Sequence, residues 1–288
     1  MWGCVPISRV ISLFAGAVLA AAPVLAQDEA PQRVVSMNLC TDQLAMMLAD
    51  EGQLYSVSYL SQQDRGSAMV EEARKYVPNR ALAEEIYLMD PDLVIAGSFS
   101  ARVTLDMLRR LDVPVVVFDP AGSLSDIPDR ITQMGAVLHQ QDKAARMVDE
   151  FNAALADLAA MAPHEGARPS AALYSANGWS SGSATLPGQI VQAAGFDLVA
   201  DEYGMAWGGF LPLELLAMSD PDAVITGQPY PAASRAEEIL DHPVVTDLKE
   251  GRMQGIVSDQ DWSCGTPFVL GAIERLSTAR QTATEAPQ

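Results

Sequence analysis

The composition of this chain removes several classes of protein from consideration. Its 288 residues carry 37 Asp plus Glu against 18 Lys plus Arg, a formal charge of −19. Because nucleic-acid binding needs clustered Lys and Arg, and no basic run occurs, we expect no nucleic-acid partner. Three cysteines and three histidines are too few for a disulfide-rich miniprotein or a zinc site with repeated ligand motifs. At roughly 150 residues per domain, the length predicts about two domains.

Residues 1–26 have the pattern of a secretory signal peptide. One cation, Arg9, precedes an apolar stretch that closes with Val-Leu-Ala at 24–26. The apolar span 10–22 is shorter than the roughly 20 residues that a transmembrane helix needs. We therefore expect cleavage and a mature chain in the periplasm or outside the cell, beginning near Gln27 with a charge of −20 once Arg9 is lost. Cys40 and Cys264 remain in it, and an oxidising compartment permits a disulfide between them.

The rest of the chain alternates strand patterns with helix patterns. Continuous apolar runs, typical of parallel strands covered on both faces, lie at 33–36, 54–57, 93–96, 114–118, 171–174, 223–226 and 255–257. Helical patterns lie between or after them at 41–50, 102–111, 124–138, 186–194, 232–240 and 267–280. This alternation predicts an α/β fold.

One helical pattern is long enough to join two lobes. Residues 136–162 contain no Gly or Pro, and apolar side chains recur at helical spacing from Ala144 through Phe151 and Leu158 to Met161. These 27 residues at about 1.5 Å each would span roughly 40 Å. We interpret the segment as a connector rather than an ordinary crossover helix. The predicted division is a signal peptide at 1–26, an N-terminal α/β lobe at 27–138, a connecting helix at 139–163 and a C-terminal α/β lobe at 168–283.

An internal repeat supports two lobes. LAEEIYLMDPDLVIAG at 82–97 aligns without gaps on PLELLAMSDPDAVITG at 212–227, with seven identities in sixteen positions. Each copy predicts a helix that opens near a Glu, stops at Asp-Pro-Asp and leads into a buried strand. Helix-turn-strand units explain the architecture but not the matched Glu84 and Glu214. We expect this pair near the tips of the two lobes, about one sheet length from the floor of a ligand cleft at the carboxyl ends of the strands.

Four phrases in this sequence resemble the periplasmic substrate-binding proteins of ABC importers for iron–siderophore complexes and cobalamin. They are RVVSMN, LAEEIYLMDPDLVIAG, LRRLDVPVVVFD and SDQDWSCGTPFVLGAIERL, and the resemblance covers nearly all of 33–281. It implies two Rossmann-like lobes with parallel central sheets, joined by one long rigid helix, with a ligand cleft between them. It further implies a monomer without enzymatic activity or cofactor, whose ligand is a ferric chelate or corrinoid. The partner would be an importer permease dimer, met by Glu84 and Glu214.

Ligands of open parallel sheets gather beyond the carboxyl ends of the strands. All three tryptophans after the leader fall in predicted loops beside glycines, which is typical of flat apolar walls around a large ligand. The predicted ligand-binding residues in these loops are Met37, Asn38, Cys40, Tyr59, Phe99, Arg102, Trp179, Trp207, Tyr230, Trp262 and Cys264.

The ligand class stays open at the level of sequence. An anionic siderophore would use arginine donors, for which Arg65, Arg102 and Arg235 are the loop candidates. Corrinoids prefer aromatic contacts, and haem would use Tyr59 or Tyr230. His139, His164 and His242 lie on helices or near Pro, unlike the cleft histidines of zinc and manganese receptors.

The two mature cysteines leave several alternatives. Cys40 and Cys264 could bond across the cleft, which would limit hinge opening, or stay as thiols near the ligand. With Met37 they could bind a soft metal ion. A secreted enzyme with either cysteine as nucleophile is a further alternative, although no histidine is expected nearby as its base.

Overall fold

The computed structural model describes residues 1–2, 29–163, 168–227, 234–250, 253–256 and 259–285. In the first half the strands β1 to β5 are Val34–Ser36, Leu54–Ser58, Val77–Asn79, Leu93–Gly97 and Val115–Phe118. The helices α1 to α6 are Leu39–Leu48, Val70–Ala73, Ala83–Leu88, Arg102–Arg110, Asp126–Leu138 and Gln141–Ala160.

The second half repeats this alternation. Its strands β6 to β11 are Ser170–Leu173, Trp179–Ser180, Asp197–Leu198, Gly209–Phe210, Ala223–Thr226 and Met253–Ile256. Its helices α7 to α12 are Leu186–Ala193, Val199–Glu202, Leu213–Ser219, Pro243–Lys249, Asp259–Trp262 and Val269–Glu285. Short 3₁₀ helices occupy Tyr59–Gln62, Ala176–Gly178 and Glu238–Asp241.

Each half is built on a parallel sheet, which confirms the predicted α/β class. The strand order is β3-β2-β1-β4-β5 in the first sheet and β11-β10-β6-β8 in the second. In the first sheet the chain runs one way from β1 to β3 and then the other way from β4. The strands beside that reversal, β1 and β4, therefore open a crevice beyond their carboxyl ends.

The strands are buried on both faces, as their continuous apolar runs predict. Val34 and Ile95 face a core cluster shared by both sheets and by α1, α5, α6, α7 and α12. Val35 and Val94 point the other way, into a cluster with residues of α3 and α4. The second sheet has a matching outer cluster with α8, α9 and α10. The shared cluster packs the two lobes together through helices.

The connecting helix is shorter than the predicted 27 residues, because the helix is interrupted at His139. This residue ends α5 with φ of 59° in the left-handed region, and the Gln140 amide donates to the Gly135 carbonyl oxygen. A left-handed residue with this backward bond stops a helix even without glycine. The connecting helix α6 therefore has 20 residues, about 30 Å at 1.5 Å each, and lies inside the predicted 139–163 segment. The domain bounds themselves stay a prediction.

The repeat has a structural counterpart at each Asp-Pro-Asp. Asp90 and Asp220 end their helices with φ of 50° and 47°. Two residues later, the Asp92 carboxylate accepts hydrogen bonds from the Gln32 and Arg33 amides, immediately before β1. Asp222 accepts from the Ser170 amide and hydroxyl at the start of β6. The last Asp of the motif thus ties the strand it precedes to the first strand of the same lobe.

Two predicted elements differ from the structure. Residues 234–237 are not helical, and only the 3₁₀ turn Glu238–Asp241 follows them, whereas a helix was predicted over 232–240. The short strands β3, β7, β8 and β9 were not predicted, since two or three residues carry no periodicity. Within the described residues, no helix is both long and apolar enough to cross a bilayer.

Candidate functional site

A cavity of about 280 Å³ lies at the switch point of the first sheet. Asn38 follows β1, while Ser98 and Phe99 follow β4, so the crevice expected from the strand order exists. The Leu44 and Phe118 side chains make apolar walls, and Phe99 is 87% exposed. The full lining is Asn38, Cys40, Thr41, Leu44, Gly97, Ser98, Phe99, Phe118, Asp119, Pro120, Ala121, Arg130, Ser263 and Gly265.

A second, more open cavity of about 460 Å³ adjoins the first. The two share Ala121 from the first lobe and Ser263 from the second. Two tryptophans line the second cavity: Trp207 is 79% exposed, and Trp262 is half-buried against the shared core. The remaining wall comes from Gly122 and from residues 184–187 at the start of α7. Both cavities thus lie where the lobes face each other.

A disulfide joins the lobes beside the first cavity. Cys40 is the second residue of α1, and Cys264 follows α11 in the other lobe, with their Cα atoms 5.1 Å apart. The disulfide alternative is confirmed, and neither sulfur is a free thiol for nucleophilic chemistry or for a soft metal. Met37 is only 4% exposed and packs in the outer core of the first lobe. The described residues contain no group of three potential His, Cys, Asp or Glu metal ligands.

Polar contacts reinforce the same junction. Arg65 Nε lies 3.1 Å from Asp259 Oδ2, so this arginine pairs with the opposite lobe. The Leu124 amide donates to Gln189 Oε1 at 2.9 Å. Gly265 lies so close to Ala121 that a Cβ on the glycine would be 2.1 Å from the alanine Cβ. A side chain at Gly265 would therefore push the lobes apart.

Asn38 and Gly97 shape the floor of the first cavity. Asn38 caps α1, because its Oδ1 accepts a hydrogen bond from the Cys40 amide at 3.0 Å. A Cβ on Gly97 would lie 3.0 Å from the Asn38 side chain, so the glycine leaves room for the cap. The cap in turn sets the position of Cys40 and the disulfide.

Arg130 lines the first cavity but was not among the predicted site residues. It lies on α5, and its Nη1 donates to Gln133 Oε1 at 2.7 Å. Its Nε is buried and has no hydrogen-bond partner among the described residues. No sequence signal marks this arginine, because it lies on a helix rather than in a loop after a strand, and tertiary packing decides which helical face lines the cavity.

The structure brings some predicted ligand residues together and leaves others apart. Asn38, Cys40, Phe99, Trp207 and Trp262 line the two cavities, while Cys264 is buried in the disulfide behind them. Of the other predicted ligand-binding residues, Met37, Tyr59, Arg102 and Trp179 lie outside both cavities, as do the candidate cations Arg65 and Arg235. Tyr230 falls outside the described residues.

Local packing explains two of these exclusions. The Arg80 guanidinium carbon lies 5.4 Å from the ring centre of Tyr59, which is 39% exposed. Trp179 is half-exposed, and its ring lies against Gly208, where a Cβ would be 2.9 Å from the indole. Trp179 therefore supports the backbone next to Trp207.

Comparison with known proteins identifies the family to which this fold belongs. The sequence profile of the periplasmic binding protein family matches residues 34–256, more than half of the chain. The chain belongs to the periplasmic binding protein family. Its two lobes, parallel sheets and connecting helix have the fold of that family.

Individual family members are distant in sequence. The chain is 27% identical over 207 residues to a cobalamin-binding protein of Halobacterium salinarum, covering 69% of this chain and 55% of that protein. It is 25% identical over 204 residues to a vitamin B12-binding protein of Pectobacterium atrosepticum, covering 68% and 72%. The chain thus spans about half the length of its Halobacterium relatives.

Solved structures of the family share the fold. The apo form of the periplasmic heme-binding protein RhuT from Roseiflexus sp. RS-1 has a TM-score of 0.70 at 18% identity, covering 88% of this chain and 99% of that one. The periplasmic vitamin B12-binding protein BtuF of Vibrio cholerae has a TM-score of 0.62 at 16% identity, covering 88% and 98%.

The two repeated glutamates lie at the carboxyl edges of the sheets. The prediction that they lie about one sheet length from the cleft floor was therefore wrong. In the family fold a helix between parallel strands runs backwards, and its start adjoins the edge where the preceding strand ended. Glu84 opens α3 shortly after β3 ends at Asn79. Burial, and secondly the charge of Glu214, raise the pKa of Tyr174, which directly follows β6. Both glutamates are exposed.

A buried carboxylate supports the connection after β2. Asp42 on α1 is fully buried, and its Oδ2 accepts from the Ser58 amide at 2.9 Å, the Ser58 hydroxyl at 2.5 Å and the Ser61 hydroxyl at 2.6 Å. Its Oδ1 has no partner among the described residues. Burial raises the pKa of Asp42, and the serine hydrogen bonds offset part of that rise. The carboxylate fixes the turn that carries Tyr59.

Proposed function

We propose that this chain is a periplasmic solute-binding protein that captures an iron complex, either a siderophore or haem, or cobalamin, and delivers it to a membrane ABC importer. The observation that carries this proposal is the cleft between the lobes, where Trp207 and Trp262 line one cavity and the switch point of the first sheet forms the other. Secretion by the 1–26 leader belongs to the same proposal.

The size and chemistry of the cleft favour a large, flat ligand. Small-molecule sites commonly occupy about 300 to 1,000 Å³, and the first cavity alone falls below that range. Together with the second cavity, it reaches the range. Phe99, Trp207 and Trp262 offer exposed or half-exposed aromatic surface for a conjugated ring. A single small ion would use little of this surface.

The relatives suggest which chelates to test first. The two sequence relatives are named as binders of cobalamin and vitamin B12, and the RhuT structure is named as a haem binder. We therefore expect the protein to bind cyanocobalamin or haem, and a ferric hydroxamate represents the iron–siderophore alternative, since another structure of this fold is named as part of an Fe3+-hydroxamate transport system. A binding role is also favoured over thiol catalysis, because both mature cysteines are bonded to each other.

Fluorescence titration of the mature protein tests this proposal. Binding of cyanocobalamin, haem or ferric hydroxamate should quench tryptophan emission, because Trp207 and Trp262 line the cleft. Trp262→Ala and Trp207→Ala should each weaken binding about tenfold, the size expected for the loss of one aromatic contact. The matched control Tyr87→Ala, which removes an exposed aromatic side chain outside both cavities, should bind like wild type. Absence of binding for all three ligands would contradict the proposal.

We also propose that Glu84 and Glu214 dock the protein on the two subunits of the permease dimer. Both are exposed, open equivalent helices of the repeat and adjoin exposed apolar side chains, Leu88 on α3 and Met218 on α9. Two equivalent acids on pseudo-symmetric lobes suit a partner with two-fold symmetry. The proposal takes the binding protein to act as a monomer.

Charge reversal separates docking from ligand binding. Glu84→Lys with Glu214→Lys should leave ligand affinity unchanged and stop uptake in cells. The matched control reverses two exposed acids of α6, Glu150→Lys with Asp157→Lys, and should transport normally. Normal uptake by the Glu84 and Glu214 variant would remove the docking role, and lost affinity would place these residues in the ligand site instead.

A further inference from the structure

The first cavity combines apolar walls with one guanidinium group. Leu44, Phe118 and Phe99 supply apolar surface, and the half-buried Arg130 supplies the positive charge. A cation in such a place is costly unless something pairs with it, because burial removes water from its donors. The cavity therefore contains a charge that the fold alone does not explain.

The partners of Arg130 within the protein leave part of its donor set unused. Nη1 donates to the neutral amide oxygen of Gln133 at 2.7 Å, which orients the group without neutralising it. Nε is buried without a hydrogen-bond partner, and no carboxylate among the described residues forms an ion pair with Arg130. An arginine fork fits a carboxylate with two parallel hydrogen bonds.

Neighbouring polar groups do not take this role. The nearby Asp126 carboxylate accepts from the Gly122 and Ser123 amides at 2.9 Å each. Asn38 Oδ1 is used by the cap of α1. Asp119 also lines the cavity, but it is exposed, so solvent and salt screen its charge.

We propose that the first cavity binds a carboxylate arm of the ligand, with Arg130 as its donor. The ring of the ligand would then lie in the second cavity against Trp207 and Trp262, since the two cavities share Ala121 and Ser263. The position of the ring rests on the proposed function, whereas the binding of a carboxylate by Arg130 does not. The ligand class is therefore a flat chelate with at least one acidic side group. In a protein of net charge −19, a local cation is what allows an anionic group to bind.

The test uses small probes that do not depend on the identity of the chelate. The wild-type protein is titrated by heteronuclear NMR with 3-phenylpropionate and with the neutral 3-phenylpropionamide. We expect the acid to bind at least about tenfold more tightly than the amide, because a hydrogen bond to a charged group discriminates by that order. The amide signals of Gly97, Phe99 and Ala121 should shift with the acid. Equal binding of the two probes, or no binding of the acid, would overturn the proposal.

Variants then assign the donor. Arg130→Gln should abolish the preference for the acid, Arg130→Lys should keep part of it, and Asp119→Asn should increase it. Arg146→Gln, which removes an exposed arginine of α6, is the matched control and should behave like wild type. If Arg130→Gln still prefers the acid over the amide as strongly as the wild type does, Arg130 is not the donor. If the acid binds but no large chelate does, the proposed function fails while this site stands; chelate binding without any acid preference gives the opposite result.

Discussion

Removal of the disulfide should weaken both the stability of the protein and the contact between its lobes. The perturbation is Cys40→Ser with Cys264→Ser, or reduction of the wild type. Cys264 is buried and Cys40 lines the first cavity, so serine keeps the size of each side chain while breaking the link. The remaining contacts across the junction include the partly exposed Arg65–Asp259 pair, which is worth about 0 to 1 kcal/mol.

The magnitude follows from the length of chain that the bond closes. The cysteines are 224 residues apart, and the chain-entropy relation then gives about 18 cal/mol/K of lost denatured-state entropy. At 25 °C this corresponds to about 5 kcal/mol, a large part of the roughly 5 to 15 kcal/mol that stabilises a typical protein. In a chain of this size the midpoint of thermal unfolding should fall by about 10 to 20 °C.

Guanidinium unfolding with and without reductant measures this effect. The oxidised wild type should unfold at clearly higher denaturant than the reduced wild type, and the double serine variant should match the reduced protein in both buffers. Identical midpoints for oxidised and reduced wild type would refute the reasoning. Chelate affinity should fall in parallel, since the same bond fixes one wall of the first cavity.

Two further predictions concern buried packing. Burial raises the pKa of Asp42 in the folded protein above the 3.8 of a free Asp side chain. Above pH 3.8 the folded protein therefore binds more protons at this site than the unfolded chain does, so the free energy of unfolding falls as the pH rises through the raised pKa. Asp42→Asn should therefore flatten the pH dependence of the urea midpoint in that range; an unchanged slope would contradict this. Gly135→Ala should destabilise by about 1 to 3 kcal/mol, because the new Cβ would lie 2.3 Å from the Ala144 Cβ. Gly122→Ala, with its nearest atom at 3.7 Å, is the control, and equal midpoints for both variants would count against tight packing of α5 on α6.

Periodicity and the internal repeat were enough to predict the frame of the fold. The seven apolar runs each contain or overlap an observed strand, because a strand buried on both faces needs apolar side chains at successive positions. The 130-residue offset predicted that α3 and β4 correspond to α9 and β10. It also identified Asp92 and Asp222, although their bonds to the neighbouring strand depend on sheet order, which sequence does not display.

The composition of the site was harder to predict. Of the residues predicted from loops after strands, Asn38, Phe99 and Trp262 line the cavities. Arg130 reaches the first cavity from a helix, and only tertiary packing decides which face of a helix does so. Met37 follows β1 directly yet points into the outer core, because successive residues alternate between faces. His139 could not be foreseen as a helix end, since no glycine or proline marks it.

The disulfide also makes the order of biogenesis matter. A chain that is synthesised from its N-terminus at roughly 5 to 20 residues per second needs about 10 to 45 seconds to add the 224 residues between the two cysteines. During that interval Cys40 has no native partner, and the nearest other thiol in the sequence is Cys4, within the first 26 residues. Early removal of that segment would eliminate the competing thiol. The last stretch of chain would then supply Cys264. The native disulfide can therefore form only after most of the C-terminal lobe has been synthesised.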